Sequence, residues 1–206
     1  MKQFPGNKLK EFKAFRKLTT SPKIQDFIDK ISINFEARGD TCRSPLMVLK
    51  HGKAHCMEGA LLAAAILWYH GKRPLLLDLK TTGDDESHVV VLFRQGSRWG
   101  AISKTNHAVL RYRDPVYKSV RELAMSYFNE YFLDSGAKTL RSHSAPFDLL
   151  CYGSNWLTSK DNLWQIVDDI DRCRHFKILD PGAVRHLRPA DPIEIKAGRL
   201  TEWKRK

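Results

Sequence analysis

The chain has 206 residues, 42% hydrophobic and 28% charged, which is the balance of an ordinary globule with room for one sizeable core. Its net charge of +12 suggests a polyanion binder until it is mapped: residues 1–25 carry seven Lys/Arg against one Glu, residues 172–206 carry ten against four acids, and residues 26–171 carry 18 of each sign. The basic excess therefore belongs to the two ends, nucleic acid is not the favoured partner, and no apolar run approaches the roughly 20 residues that would make the chain a membrane protein.

These properties predict one domain over 1–206, with a core at about 22–175 and basic N- and C-terminal flanks. The start, Met1 to Gly6, lacks the apolar segment of a signal peptide. Cys42, Cys56, Cys151 and Cys173 form no CxxC pair. Both features point to a reduced, cytoplasmic setting.

Residues 1–20 are basic and weakly patterned. Ser21-Pro22 reads as an N-cap with proline at the first helical position, and Ile24, Phe27, Ile28 and Ile31 follow at helical spacing, so a short helix is predicted over 22–31. Residues 38–54 hold Gly39-Asp40, Ser44-Pro45 and Gly52, and read as loop around a short apolar piece, Leu46–Leu49. Next comes His55-Cys56-Met57-Glu58-Gly59-Ala60 and the run Leu61–Tyr69, rich in strong helix formers and stopped by His70-Gly71 with Pro74 beyond. A helix over about 56–70 follows, with Gly59, Ala60, Ala63 and Ala64 as a narrow stripe that admits a close neighbour.

Leu75–Leu79 is a short buried strand, and Thr81–Glu86 an acidic loop. His88–Phe93 is the clearest strand by β-branched content. Gln95-Gly96 is a turn, Arg98–Ser103 returns, and Ala108–Tyr112 is a third strand ended by Asp114-Pro115. Val120–Phe132 has helical periodicity, closed by Gly136. Residues 139–152 supply a weakly patterned strand. Thr158–Asp161 opens a last helix carrying Leu163, Ile166, Val167 and Ile170. Residues 177–206 read as extended tail or edge.

Cys56 stands at the opening of a buried helix, where unpaired N–H groups and the positive end of the helix dipole favour a thiolate. The competing reading is an inert buried thiol. A two-residue turn at Gln95-Gly96 pairs Arg94 with Ser97, Leu92 with Trp99 and His88 with Ser103, partners about 5 Å apart. Alternation then puts His88, Val90, Leu92, Trp99, Ala101 and Ser103 on one face. His51, His55, Cys56 and Cys42 make no clean zinc set, because Gly52 breaks the helix that His-x3-His requires. No serine-nucleophile motif, phosphate loop or dinucleotide fingerprint is present. Neither a metal nor a cofactor is expected.

The order of these parts resembles the transglutaminase-like (papain-like) cysteine enzyme superfamily: a Cys opening a buried helix with an acid close behind (Cys56, Glu58), a Gly…Pro passage into a strand (Gly71 to Leu75), a His opening the next strand (His88), and a Trp in the returning strand (Trp99). The match covers about residues 40–115. It implies an α+β fold, a helix beginning at Cys56 packed on an antiparallel sheet, with Cys56 as nucleophile and His88 as its base. Four residues after Trp99, where the family carries Asp, this chain has Ser103. The orienting third residue is therefore Ser103 or Asn106, with Asp78 and Asp114 ranked lower, and Ser103→Asp is predicted to raise activity. The resemblance implies a thiol enzyme acting on an amide or thioester acyl group of a protein or peptide substrate, by hydrolysis or by transfer to an amine. The alternative is a degenerate, non-catalytic member that binds protein or nucleic acid through its basic flanks.

Overall fold

The computed structural model describes residues 4–6, 9–37 and 39–204. Parts of both basic flanks, Lys2 and Lys8 at one end and Arg205 and Lys206 at the other, lie outside the described residues. The elements in chain order are α1 (Ser21–Asp29), β1 (Ser32–Ile33), α2 (Pro45–His51), β2 (Lys53–Ala54), α3 (Cys56–Tyr69), β3 (Leu75–Lys80), β4 (His88–Gln95), β5 (Arg98–Ile102), β6 (Arg113–Tyr117), α4 (Val120–Met125), β7 (Ser142–Ser144), β8 (Phe147–Asp148), α5 (Trp164–Arg172), β9 (His175–Lys177) and α6 (Pro192–Gly198). The fold is α+β. Its main sheet runs β6-β5-β4-β3-β7-β9, with β8 pairing β3, and every neighbour in it is antiparallel. Among the described residues no helix is long and apolar enough to cross a membrane.

α3 is the centre. Every residue from Met57 to Trp68 is buried, which explains why its sequence is apolar all round rather than striped. It lies against β4, with α1 and α2 on its other sides. One apolar cluster joins α3 to Ile24 and Ile28 of α1, Val48 of α2 and Ile166 and Ile170 of α5; a second gathers Leu77, Val90, Leu92, Leu123 and Tyr127. Alternate residues of β4 divide between the two clusters, as a sheet with both faces covered requires.

Several elements differ from expectation. The supposed loop before Cys56 contains α2. Ser44 Oγ caps it by accepting from Met47 N at 3.3 Å, Pro45 opens it, and Gly52 ends it at φ 64. The serine, proline and glycine that look like loop signals are the punctuation of a seven-residue helix. Residues 108–112 are not a strand: the strand is β6, on the sheet edge, where Pro115 is tolerated. The helix expected over 120–132 stops at Met125 and resumes as a 3-10 turn, Phe128–Glu130. α5 begins at Trp164 rather than near Thr158. The extended tail contains α6, opened by Asp191 and Pro192.

The core also reaches before residue 22. Phe12 and Phe15 stack at 4.8 Å in a 3-10 helix (Glu11–Lys17), and Phe4 meets Trp68 and Tyr69 edge-on. The N-terminal segment therefore caps the far end of α3 as part of the core.

The β4–β5 hairpin is two residues out of the predicted register. Gln95 pairs Arg98, Arg94 pairs Trp99 and Leu92 pairs Ala101. Gly96, at φ 58, takes the first central position of the turn, which only glycine adopts at no cost. A slip of two preserves which residues share a face, so His88 and Ser103 stay together as diagonal rather than direct neighbours.

Candidate active site

α3 begins where β2 ends. His55 holds the N-cap position in an extended conformation, and Glu58 Oε2 reaches back to accept from His55 N at 3.2 Å. Cys56 is thus the first helical residue, and the opening turn leaves N–H groups without a carbonyl four residues back. Two imidazoles hydrogen-bond the Cys56 thiol, one from its neighbour His55 and one from His88 at the start of β4. Burial alone would push the thiol up. The hydrogen bonds from His55 and His88, and the charges those rings carry, outweigh it and bring Cys56 down to about 6.

His55 is held on its other side. Its Nε2 donates to Thr41 O at 2.7 Å, with Glu36 Oε1 at 3.6 Å and Glu58 Oε1 at 3.7 Å. Burial would lower this imidazole, but the hydrogen bond and charge of Cys56, then Glu58, raise it to about 9. Glu58 is fully buried and satisfied: it accepts from Thr41 Oγ1 at 2.7 Å, Arg43 N at 3.0 Å and Asn34 Nδ2 at 3.1 Å. Cys42, next in sequence to Thr41 and fully buried, is the contrast. Burial leads the causes that push its thiol up to about 12, so it is inert at neutral pH.

His88 is met on its other side by Ser103. His88 Nε2 lies 2.8 Å from Ser103 Oγ, and both residues are buried. Ser103 Oγ in turn donates to Leu110 O at 2.5 Å. A hydroxyl has one proton. With that proton given to a carbonyl, Ser103 faces His88 as an acceptor, so Nε2 carries the imidazole N–H and Nδ1 is left for Cys56. The backbone of Ser103 is pinned as well: Gln25 of α1 donates to Ser103 O at 2.8 Å and accepts from Ser103 N at 3.0 Å.

The other candidates lie elsewhere. Both ends of the Asn106 amide are spent on the C-terminal segment, with Nδ2 donating to Trp203 O at 3.0 Å and Oδ1 accepting from Trp203 N at 2.8 Å. Asn106 therefore does not orient His88. Asp78 pairs with His175 at 3.0 Å, and Asp114 is exposed on β6. His51 sits exposed at the end of α2. Among the described residues no group of three or more His, Cys, Asp and Glu is arranged to hold a metal ion.

Sequence reasoning missed three contributors. His55 enters the sequence argument only as a zinc ligand, although its position beside a helix-opening cysteine is itself a signal. Gln25 looks like any polar residue of an amphipathic helix. Leu110 adopts φ 60, a left-handed backbone with no signature in an aliphatic residue.

No family model matches the chain, and the comparison with curated proteins finds no match. Among solved structures it is similar to Legionella pneumophila LapG (EGTA-treated), at 14% identity and a TM-score of 0.41, over 70% of this chain and 84% of that one. The likeness is distant and says nothing of which atoms react.

Proposed function

We propose that this chain is a thiol-dependent acyl-group enzyme in which Cys56 is the nucleophile and His88 the general base and acid. The observation that supports this most is the Cys56 thiol, at the mouth of a helix and hydrogen-bonded by two imidazoles. Nδ1 of His88 takes the thiol proton. Cys56 Sγ bonds to the carbonyl carbon of an amide or thioester, and the carbonyl electron pair moves to oxygen. N–H groups of the first turn of α3 would hold that oxyanion. When the tetrahedral centre collapses, the leaving amine or thiol takes the proton from His88, and an acyl-Cys56 thioester remains. Water or an amine then gives its proton to His88 as it attacks, and cleavage of the C–S bond frees the acyl group and restores Cys56.

His55 is the cation beside the thiolate. The hydrogen bond and charge of Cys56, then the Glu58 charge and the Thr41 carbonyl, keep it protonated at neutral pH, so it stabilises the thiolate without moving a proton. The best-matched substrate is a protein or peptide acyl group.

The test is trapping the thioester. With p-nitrophenyl acetate as the simplest acyl donor, intact-mass analysis is expected to show one acetyl group on Cys56, discharged by hydroxylamine, and none on Cys56→Ser or His88→Ala. Acylation shared evenly among Cys42, Cys56, Cys151 and Cys173 would sink the proposal.

A further inference from the structure

The Ser103 hydroxyl is a weak third group: it carries no charge and, left free, rotates to donate to whatever accepts. Its usefulness to His88 depends on its own proton being committed elsewhere, and the acceptor is Leu110 O at 2.5 Å. That carbonyl is aimed by an unusual backbone. Leu110 sits at φ 60, one of two non-glycine residues with positive φ among the described residues, a conformation costing an L-residue roughly 1–2 kcal/mol.

Glu130 holds it there. Glu130 Oε2 accepts from Leu110 N at 2.6 Å. The carboxylate is itself set by Arg113, whose guanidinium bonds Glu130 Oε1 at 2.5 Å, donates to Ser126 Oγ at 3.0 Å and lies over the Tyr127 ring at 4.0 Å. The chain of contacts runs Arg113, Glu130, Leu110, Ser103, His88, Cys56. It joins the second half of the sheet and the 3-10 turn after α4 to the thiol at the head of α3.

We propose that Glu130 and the left-handed Leu110 are positioning residues that fix the proton of Ser103 and, through it, the Nε2–H tautomer of His88. This rests on the Cys56–His88 reading. A charged third group would do the same work directly. Here two residues, Leu110 and Ser103, stand between the carboxylate and the imidazole, and Glu130 acts by holding the Leu110 backbone rather than by touching the ring. Left-handed backbone at functional sites is a known place for such stored strain.

The experiment compares Leu110→Gly, Leu110→Ile, Glu130→Gln and Glu130→Ala in the full chain. Two quantities are read: the pH profile of Cys56 alkylation by iodoacetamide, and the His88 tautomer from its ring 15N shifts. Glycine takes φ 60 freely, and Gln keeps an oxygen that can accept from Leu110 N, so these conservative variants are expected to keep the wild-type profile and the Nε2–H signature. A β-branched Ile resists positive φ, and Ala removes the acceptor. These two are expected to mix the tautomers and to raise the acid limb of the profile by about one pH unit, as expected for a weakened hydrogen bond to a charged group. If Leu110→Ile does not fold, Glu130→Ala decides. Folded Ile and Ala variants with an unchanged limb and tautomer, alongside a displaced limb in His88→Ala, overturn the relay and leave the Cys–His reading standing. A shifted limb in Leu110→Gly overturns the backbone account. A wild-type limb near pH 9 that His88→Ala does not move refutes the Cys–His reading itself.

Discussion

His55→Asn separates charge from helix capping. Asn is a good N-cap residue, so α3 keeps its start, while the cation beside Cys56 disappears. The Cys56 thiol is lowered from an ordinary 9.0 to about 6, with burial opposing and the His55 hydrogen bond the leading favourable cause, ahead of His88. Two imidazoles thus supply a net drop of about three units and also offset the burial cost. Removing the stronger removes at least half of that drop, so the thiol is expected to rise to about 8, a loss of roughly 2–3 kcal/mol of thiolate stabilisation. The sign follows from the chemistry: a lowered thiol pKa means the thiolate persists as pH falls to about 6, and the variant loses it already near 8. At pH 7 the wild type is about nine-tenths thiolate and the variant about one-tenth. Pseudo-first-order alkylation of Cys56 by iodoacetamide, followed by peptide mass from pH 5 to 10, should then be about tenfold slower in the variant at pH 7. The two should converge above pH 9, where the wild-type His55 also deprotonates, its own value being about 9. A variant whose limb stays near pH 6 would refute the assignment of His55 as the thiolate's counter-cation.

Three further outcomes follow. Ser103→Asp, which family spacing alone predicts to raise activity, is expected to lower it: the new carboxylate would meet Leu110 O, 2.5 Å from the present hydroxyl, and two acceptors without a proton between them cost about 1–3 kcal/mol, read as a lower Tm and slower Cys56 labelling. Gly59→Ala places a methyl 2.4 Å from Lys104 Cβ, and since that atom is near the backbone and cannot swing away, a loss of about 1–3 kcal/mol is expected by urea denaturation. Asn106→Ala should leave Cys56 labelling unchanged while limited proteolysis cuts the segment after α6 sooner, because its two bonds to Trp203 are gone; a drop in labelling would restore Asn106 as a partner of His88.

α1, α3 and strands β3 to β5 are legible from apolar periodicity and local signals: Pro22 at the start of α1, whose cap is Thr20 rather than the expected Ser21, the run Leu61–Tyr69 in α3, the β-branched stretch of β4. α2 is illegible for an instructive reason. Seven residues are too few for a periodicity to stand out from the Ser, Pro and Gly at its ends, and those residue types also mark turns. Phe12 and Phe15 are too few to show a period in the seven residues of their 3-10 helix, and Phe4 lies before it. Their burial is decided by the end of α3 that they cover.

The contact between His88 and Ser103 shows why a wrong register can still bring two residues to one face. Pairing Arg94 with Ser97 places Ser103 opposite His88; the true pairing of Arg94 with Trp99, continued along the strands, places it opposite Val90. Because side chains alternate with a period of two, an error of two leaves Ser103 on the His88 face, and the imidazole reaches it diagonally at 2.8 Å. An error of one would have buried Ser103 in the opposite cluster. Parity, then, is the robust part of the hairpin argument, and exact opposition is not. Parity is silent on which way a hydroxyl points. That is decided by Leu110 and Glu130, contributed by a loop and a 3-10 turn. Strong local signals thus place Cys56 and His88, and the Ser103 hydroxyl is aimed by a backbone conformation that no propensity encodes.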